Sequence, residues 1–109
     1  MRYELHISTA AERDIEEAAD YIDYVLKNPQ AADALLDAID EVLPSLQENP
    51  QRISIVSEPV LRTWEIRFIR IKNYLVLFRV DDENARVVIV RFLYAKRNWW
   101  TILKNSFPN

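Results

Sequence analysis

The residues with the most chemical potential in this 109-residue chain are cations set among aromatics. Arg62, Arg70, Arg79 and Arg91 share a stretch with Trp64, Phe68, Leu75 and Leu77, and Lys96 and Arg97 follow it. Arg67 and Lys72 lie in the same stretch. A guanidinium grips phosphate at two points and an aromatic ring stacks on a base, so this interleaving is what a phosphate-and-base surface needs. Other chemistries have less support. His6 is the single histidine and has no histidine or cysteine partner. Ser8 and Ser57 have no histidine placed near them, so a serine triad is not indicated. The chain has no cysteine, which removes disulfides, thiolate metal sites and cysteine nucleophiles together. Asp14/Glu17 and Asp37/Glu41 have the spacing of a solvated helix face, and no metal or cofactor is implied. With no glycine, phosphate-cradling loops and dinucleotide fingerprints are excluded in their usual form. Any reaction chemistry therefore falls to Arg, Lys and Tyr.

The elements that must position these cations follow from periodicity. Tyr3, Leu5 and Ile7 alternate with polar residues, which predicts a strand over residues 2–8. Thr9 with Glu12 reads as a capping box opening a first helix. Ala11, Ile15, Ala18, Ile22 and Val25 recur at helical spacing as its buried stripe, and the helix is expected to stop near Lys27. Asn28-Pro29 is a cap followed by a first-turn proline, opening a second helix with Ala32, Leu35, Ile39, Val42, Leu43 and Leu46 inward. Pro44 must kink that helix or begin a separate last turn. Residues 51–60 read as a connection. Three strands follow, at Leu61–Ile71, Tyr74–Val80 and Arg86–Tyr94. Lys72-Asn73 is a tight turn and 81–85 a polar loop, with Asn73 and Asn84 expected to take the left-handed conformation that glycine normally supplies. A short helix is expected within 95–109. The expected fold is a single α+β domain over residues 1–109. It runs from an N-terminal strand through a helical hairpin to a three-stranded antiparallel meander, with the helices on one face of a mainly antiparallel sheet.

A two-residue turn at Lys72-Asn73 fixes the side-chain directions. Arg67, Ile69 and Ile71 then share a face with Tyr74, Val76, Phe78 and Val80. Arg62, Trp64, Ile66, Phe68 and Arg70 share the other with Leu75, Leu77 and Arg79, and Arg91 joins this second face beside Ile89 and Leu93. A bulge would reverse the assignment. Pattern alone leaves a second reading open, a solvated face on which Arg79 and Arg91 pair with Glu65 or Glu58. The charge is split in the same sense. Residues 1–50 carry −9 and residues 51–109 carry +6, within a net charge of −3. Such a split suits a polyanion-facing surface or mutual neutralisation of the two halves. The alternating, charged N-terminus reads as neither a signal peptide nor a membrane span, so a cytoplasmic protein with no membrane partner is expected.

The run from Arg67 to Asp81, then Val87–Tyr94 and Ala95-Lys96-Arg97-Asn98-Trp99, resembles the RelE/ParE superfamily of bacterial type II toxins. Ser8–Tyr24, with Ala11, Asp14 and Ile15, and the Asn28-Pro29-Gln30-Ala31-Ala32 helix entry match the same family. The resemblance implies the fold derived above and a cognate antitoxin partner. It divides in activity. RelE-like members cut mRNA in the ribosomal A site without a metal, using basic residues on the phosphate, whereas ParE-like members inhibit DNA gyrase by binding it. The RelE-type arginine at the exit of the last strand corresponds to Arg97, with Lys96 before it. The arginine of the middle strand falls on Leu75, the tyrosine after the last strand falls near Leu103, and the histidine before a tyrosine in YoeB-like members falls on Leu93. Arg67, Arg70 and Lys72 lie near the expected lysines. The resemblance thus implies a toxin acting on ribosome and mRNA through Arg97, Arg70, Arg79 and Arg91, with Arg62, Arg67, Lys72 and Lys96 holding substrate. Its alternatives are a gyrase inhibitor or a detoxified antitoxin-binding module. An acidic, amphipathic antitoxin segment is expected over the basic face, on Trp64, Phe68, Leu75, Leu77, Trp99 and Trp100.

Overall fold

The computed structural model describes residues 2–97, 101, 102 and 105. Strand β1 (Glu4–Ile7) leads into helix α1 (Thr9–Asp20), which ends in a π-helical turn at Tyr21–Val25. Helix α2 (Pro29–Ser45) returns antiparallel to it, and a 3-10 turn (Pro50–Arg52) and the short α3 (Pro59–Thr63) follow. Strands β2 (Arg67–Ile71), β3 (Tyr74–Asp81) and β4 (Arg86–Tyr94) complete the chain's sheet. The strand order is β1-β4-β3-β2. β2, β3 and β4 form the antiparallel meander, but β1 lies parallel to β4, so the sheet is mixed.

Local sequence explains most of these boundaries. Ser8, rather than Thr9, caps α1: its Oγ accepts from the Ala11 N–H at 3.0 Å and donates to the Val90 carbonyl at 2.8 Å. One hydroxyl thus satisfies a helix terminus and ties it to β4. Asn28 caps α2 through the Ala31 N–H, and Pro29 occupies the first turn. Pro44 sits in the final turn of α2, where it withholds one N–H from the i−4 carbonyl but any kink falls at the helix end. The π turn is closed by the Leu26 N–H bonding to the Tyr21 carbonyl, one residue further back than in an α-helix. That extra residue shifts the phase, so Val25, expected inward, is 62% exposed.

Two cores result. The helical hairpin buries Ala11, Ala18, Leu35, Ile39, Leu43 and Leu46 against Ile71, Val76, Phe78, Val87, Ile89 and Phe92. The opposite sheet face was expected to be open and basic. Instead Leu61 and Ile66, from α3 and the segment after it, fold over Leu75, Leu77 and Leu93, with Trp64, Val90 and Ile102 packed alongside. The strand expected from Leu61 thus begins only at Arg67, and residues before it serve as a lid. Alternation could not reveal this, because Trp64, Ile66 and Phe68 alternate with polar residues straight through the start of β2 at Arg67.

With no glycine available, five of the described residues take positive φ: Lys27, Asn49, Glu65, Lys72 and Ala85. At both turns where asparagine was expected in this role, a neighbour takes it. Lys72 (φ 52°) turns β2 into β3, and its carbonyl accepts from the Arg70 Nε at 2.8 Å. Asn84 is held by Asp81, through its N–H to Oδ1 at 3.2 Å and its Nδ2 to Oδ2 at 2.9 Å, which passes the reversal to Ala85 (φ 50°). The left-handed conformation costs a residue with a Cβ roughly 1–2 kcal/mol. Ala85→Gly is therefore expected to hold or raise the urea midpoint despite glycine's larger unfolded-state entropy. Leu77→Ala, by contrast, is expected to cost about 2–5 kcal/mol because this side chain is fully buried beneath Leu61 and Ile66.

Candidate functional site

The expected cations do not converge. Arg97, Lys96, Lys72 and Arg70 gather at one end of the sheet, where the β2–β3 turn meets the β4 exit. There the Ala95 N–H donates to the Asn73 carbonyl at 2.8 Å and the Arg97 N–H to the Tyr94 carbonyl at 3.0 Å. Arg79 pairs with Val88 near the far end, about 17 Å away at roughly 3.3–3.4 Å per residue along β3. It lines a separate cleft with Glu65, Asp81, Asp82, Glu83 and Arg86. Arg62 is exposed on α3. Arg67 points to the helical side, where its guanidinium donates to the carbonyls of Gln51 and Ile53, clamping the 50–55 connection rather than facing a substrate.

Arg91 departs furthest from expectation. The β3–β4 register slips between Leu77 and Phe78: Leu77 pairs with Arg91, but Phe78 pairs with Ile89. Val90 is the extra residue of a β-bulge. Val90 packs under the lid, and Arg91 swings to α1, away from the face shared by Arg70 and Arg79. Its Nε and one terminal nitrogen donate to the two Asp14 carboxylate oxygens at 2.7 and 2.8 Å. Asp14 Oδ2 also accepts the Phe92 N–H at 3.0 Å. Only 18% of the Arg91 side chain and 9% of Asp14 are exposed. The Asp14 hydrogen bonds hold the Arg91 guanidinium even more firmly protonated than usual. The pairing envisaged with Glu65 or Glu58 is not made; Glu58 instead caps α3 through the Leu61 N–H.

The partner-facing residues divide similarly. Leu75 and Leu77 are buried in the second core and Trp64 packs against it, so they offer no open apolar face. Phe68, on the edge strand, is 38% exposed. Trp99 and Trp100 lie outside the described residues. Thr101, Ile102 and Asn105 are helical.

What the sequence did not single out is a tyrosine-lined cleft of about 600 Å³ at the Arg97 end. One wall is the end of α1 and the π turn, with Asp14, Glu17, Tyr21 and Leu26; the other is Asn73, Tyr74, Tyr94 and Arg97. Tyr74 stacks on Phe92, with ring centroids 4.9 Å apart and planes 11° from parallel, and meets Tyr94 edge-on at 5.5 Å. Partial burial raises the Tyr74 phenol above its ordinary pKa, and the neighbouring Tyr94 and Tyr21 phenols push it the same way. Tyr74 is therefore a neutral hydrogen-bond donor at physiological pH, not a phenolate base. Val25 was expected inward, and the π turn that leaves it exposed near Tyr21 and Tyr24 was not visible in the sequence.

The model of the ParE toxins of type II toxin–antitoxin systems, parDE, matches residues 5–99. The chain belongs to this family. Three solved structures share its fold. A chromosomal ParDE system from P. aeruginosa is similar with TM-score 0.69 and 19% identity, over 87% of this chain and 98% of that one. A double arginine-to-alanine mutant of E. coli toxin RelE in the free state gives 0.64 and 14%, over 96% and 98%. The RelBE2 toxin–antitoxin complex from Mycobacterium tuberculosis gives 0.60 and 23%, over 86% and 99%. No curated protein matches. Among the described residues, no helix of this ParE-family toxin is long and apolar enough to cross a membrane.

Two measurements check the site. Removing one partner of a buried ion pair strands the other, so Asp14→Ala is expected to cost about 3–5 kcal/mol in urea unfolding, with the Asp14→Ala/Arg91→Met double variant recovering much of it. For Tyr74, the folded pKa lies above the unfolded value of 10.0. Its contribution to stability is then fully present below pH 10 and declines as pH rises beyond it. Ultraviolet difference titration is expected to find a tyrosine ionising later than the rest, and Tyr74→Phe to remove it.

Proposed function

We propose that this toxin is held by a cognate antitoxin and, when released, acts by binding a protein, with DNA gyrase as the target, rather than by cutting mRNA. The antitoxin partner follows from the family, whose name is that of the toxin half of a two-component system. Two of the similar structures are described as toxin–antitoxin assemblies. The non-enzymatic reading rests on one observation, the dispersal of the cations. Phosphoryl chemistry without a metal needs several fixed positive charges converging on one phosphate. Here Arg91 is neutralised by Asp14, Arg67 binds carbonyls, and Arg79 stands at the opposite end of β3 from Arg97. The cleft that does contain Arg97 is walled on its helical side by carboxylates and lined by tyrosines, a surface closer to a protein interface than to a phosphate site.

The competing reading is a ribosome-dependent endoribonuclease using Arg97 with Arg70, Lys72 and Lys96, the cations that share one sheet end. The experiment sets the two side by side. Purified toxin is added to a gyrase supercoiling assay and to a translating extract with labelled mRNA. Inhibited supercoiling with intact mRNA is the expected result. Cleavage that Arg97→Ala abolishes, with gyrase unaffected, would overturn the proposal and establish the nuclease.

A further inference from the structure

The last turn of α1 and the π turn leave an unusual surface. Tyr21 is 52% exposed, Tyr24 72%, Val25 62% and Leu26 56%. Four large apolar side chains in six residues are more than a small protein leaves bare without use. Tyr21 and Leu26 enter the tyrosine-lined cleft, in which Tyr74 and Tyr94 meet edge-on. Tyr21 is near enough for its phenol to act on that of Tyr74.

Carboxylates predominate on the helical wall, where Arg91 is held by Asp14 and also feels Glu17. Glu17 lines the cleft, and Asp20 and Asp23 lie beside it on the same helical end. Among the described residues neither Glu17 nor Asp20 forms an ion pair, while Asp14, deeper in the wall, is matched by Arg91. The electron-rich faces of tyrosine rings beside a carboxylate attract a cation, most favourably a flat guanidinium that also stacks. Arg97, on the opposite wall, sets the polarity: a cation approaching the cleft is favoured on the helical side and repelled from the strand side.

We propose that this cleft receives an arginine or lysine side chain, flanked by apolar residues, from the toxin's protein target. The flanking apolar groups cover Tyr24, Val25 and Leu26, and the cation lies over Tyr21 beside Glu17. As the surface through which the target is bound, the cleft rests on the protein-binding reading above. Its chemistry can be tested separately.

Two arms keep the claims apart. In the first, the full-length toxin with isotope-labelled tyrosine rings is titrated with the peptide acetyl-Leu-Arg-Leu-amide and with its citrulline counterpart, which keeps the shape and loses the charge. Saturable shifts at Tyr21 and Tyr94 are expected with arginine only, and Glu17→Lys is expected to abolish them. Equal response to both peptides, or none to either, would overturn the cleft's cation preference. In the second arm, Tyr21→Ala and Glu17→Lys are each compared with wild type in gyrase supercoiling, after circular dichroism shows that both fold. Half-inhibition is expected to need about tenfold more protein, the loss of one anchoring contact. Glu83→Gln, in the β3–β4 loop, is expected to leave it unchanged. Wild-type inhibition that both variants retain would remove the cleft from target binding. No inhibition by wild type would refute gyrase as the target, and the peptide arm would still decide the cleft.

Discussion

The structure turns on one carboxylate. Asp14 accepts both donors of the Arg91 guanidinium and the Phe92 N–H, at the point where Val90 bulges out of β4. Ser8, six residues earlier, bonds the Val90 carbonyl and the helix N-terminus together. Two polar side chains from the start of α1 thus fix the same irregular point of the central strand. A bulge leaves backbone groups out of the ladder, and buried ones need partners. Here α1 supplies them. The bulge in turn lets Val90 and Leu93 face the second core while Ile89 and Phe92 face the first. Without it, strict alternation would put Ile89 and Phe92 on opposite faces of the sheet.

That constraint also shapes function. By drawing Arg91 inward, Asp14 subtracts a cation from the surface and leaves Arg97 among tyrosines rather than among arginines. The charge asymmetry of the two halves is in part an internal matter: Asp14 of α1 and Arg91 of β4 neutralise each other. The clamps made by Arg67 and Arg70 continue this pattern, spending guanidinium groups on backbone carbonyls. The absence of glycine is part of the same economy. Turns at Lys72 and Ala85 are stabilised by neighbouring side chains, since their backbone conformation is unfavourable in itself.

Much of the fold was legible in the sequence because its signals are local. The Asn28-Pro29 start, the apolar run of Tyr74–Val80 and the full extent of Arg86–Tyr94 need only nearest neighbours along the chain. The β2–β3 pairing followed from a two-residue turn, and its register matches from Ile71↔Tyr74 outward. The rest depended on contacts distant in sequence. Leu61 and Ile66 read as strand because alternation cannot distinguish a paired strand from a lid over one. Arg91 read as exposed because its partner lies 77 residues away and a bulge leaves no mark in composition. The tyrosine cleft was invisible because it needs the helix end that carries Tyr21 and Leu26 to lie opposite the β4 exit that carries Tyr94.

The most direct test of this account is what touches the exposed tyrosines while the toxin is acting. A photoreactive phenylalanine analogue placed at Tyr24 by suppression, in cells induced without antitoxin, reports that contact covalently. The account predicts an adduct with a gyrase subunit. An adduct with the ribosome or its messenger RNA, and none with gyrase, would contradict it.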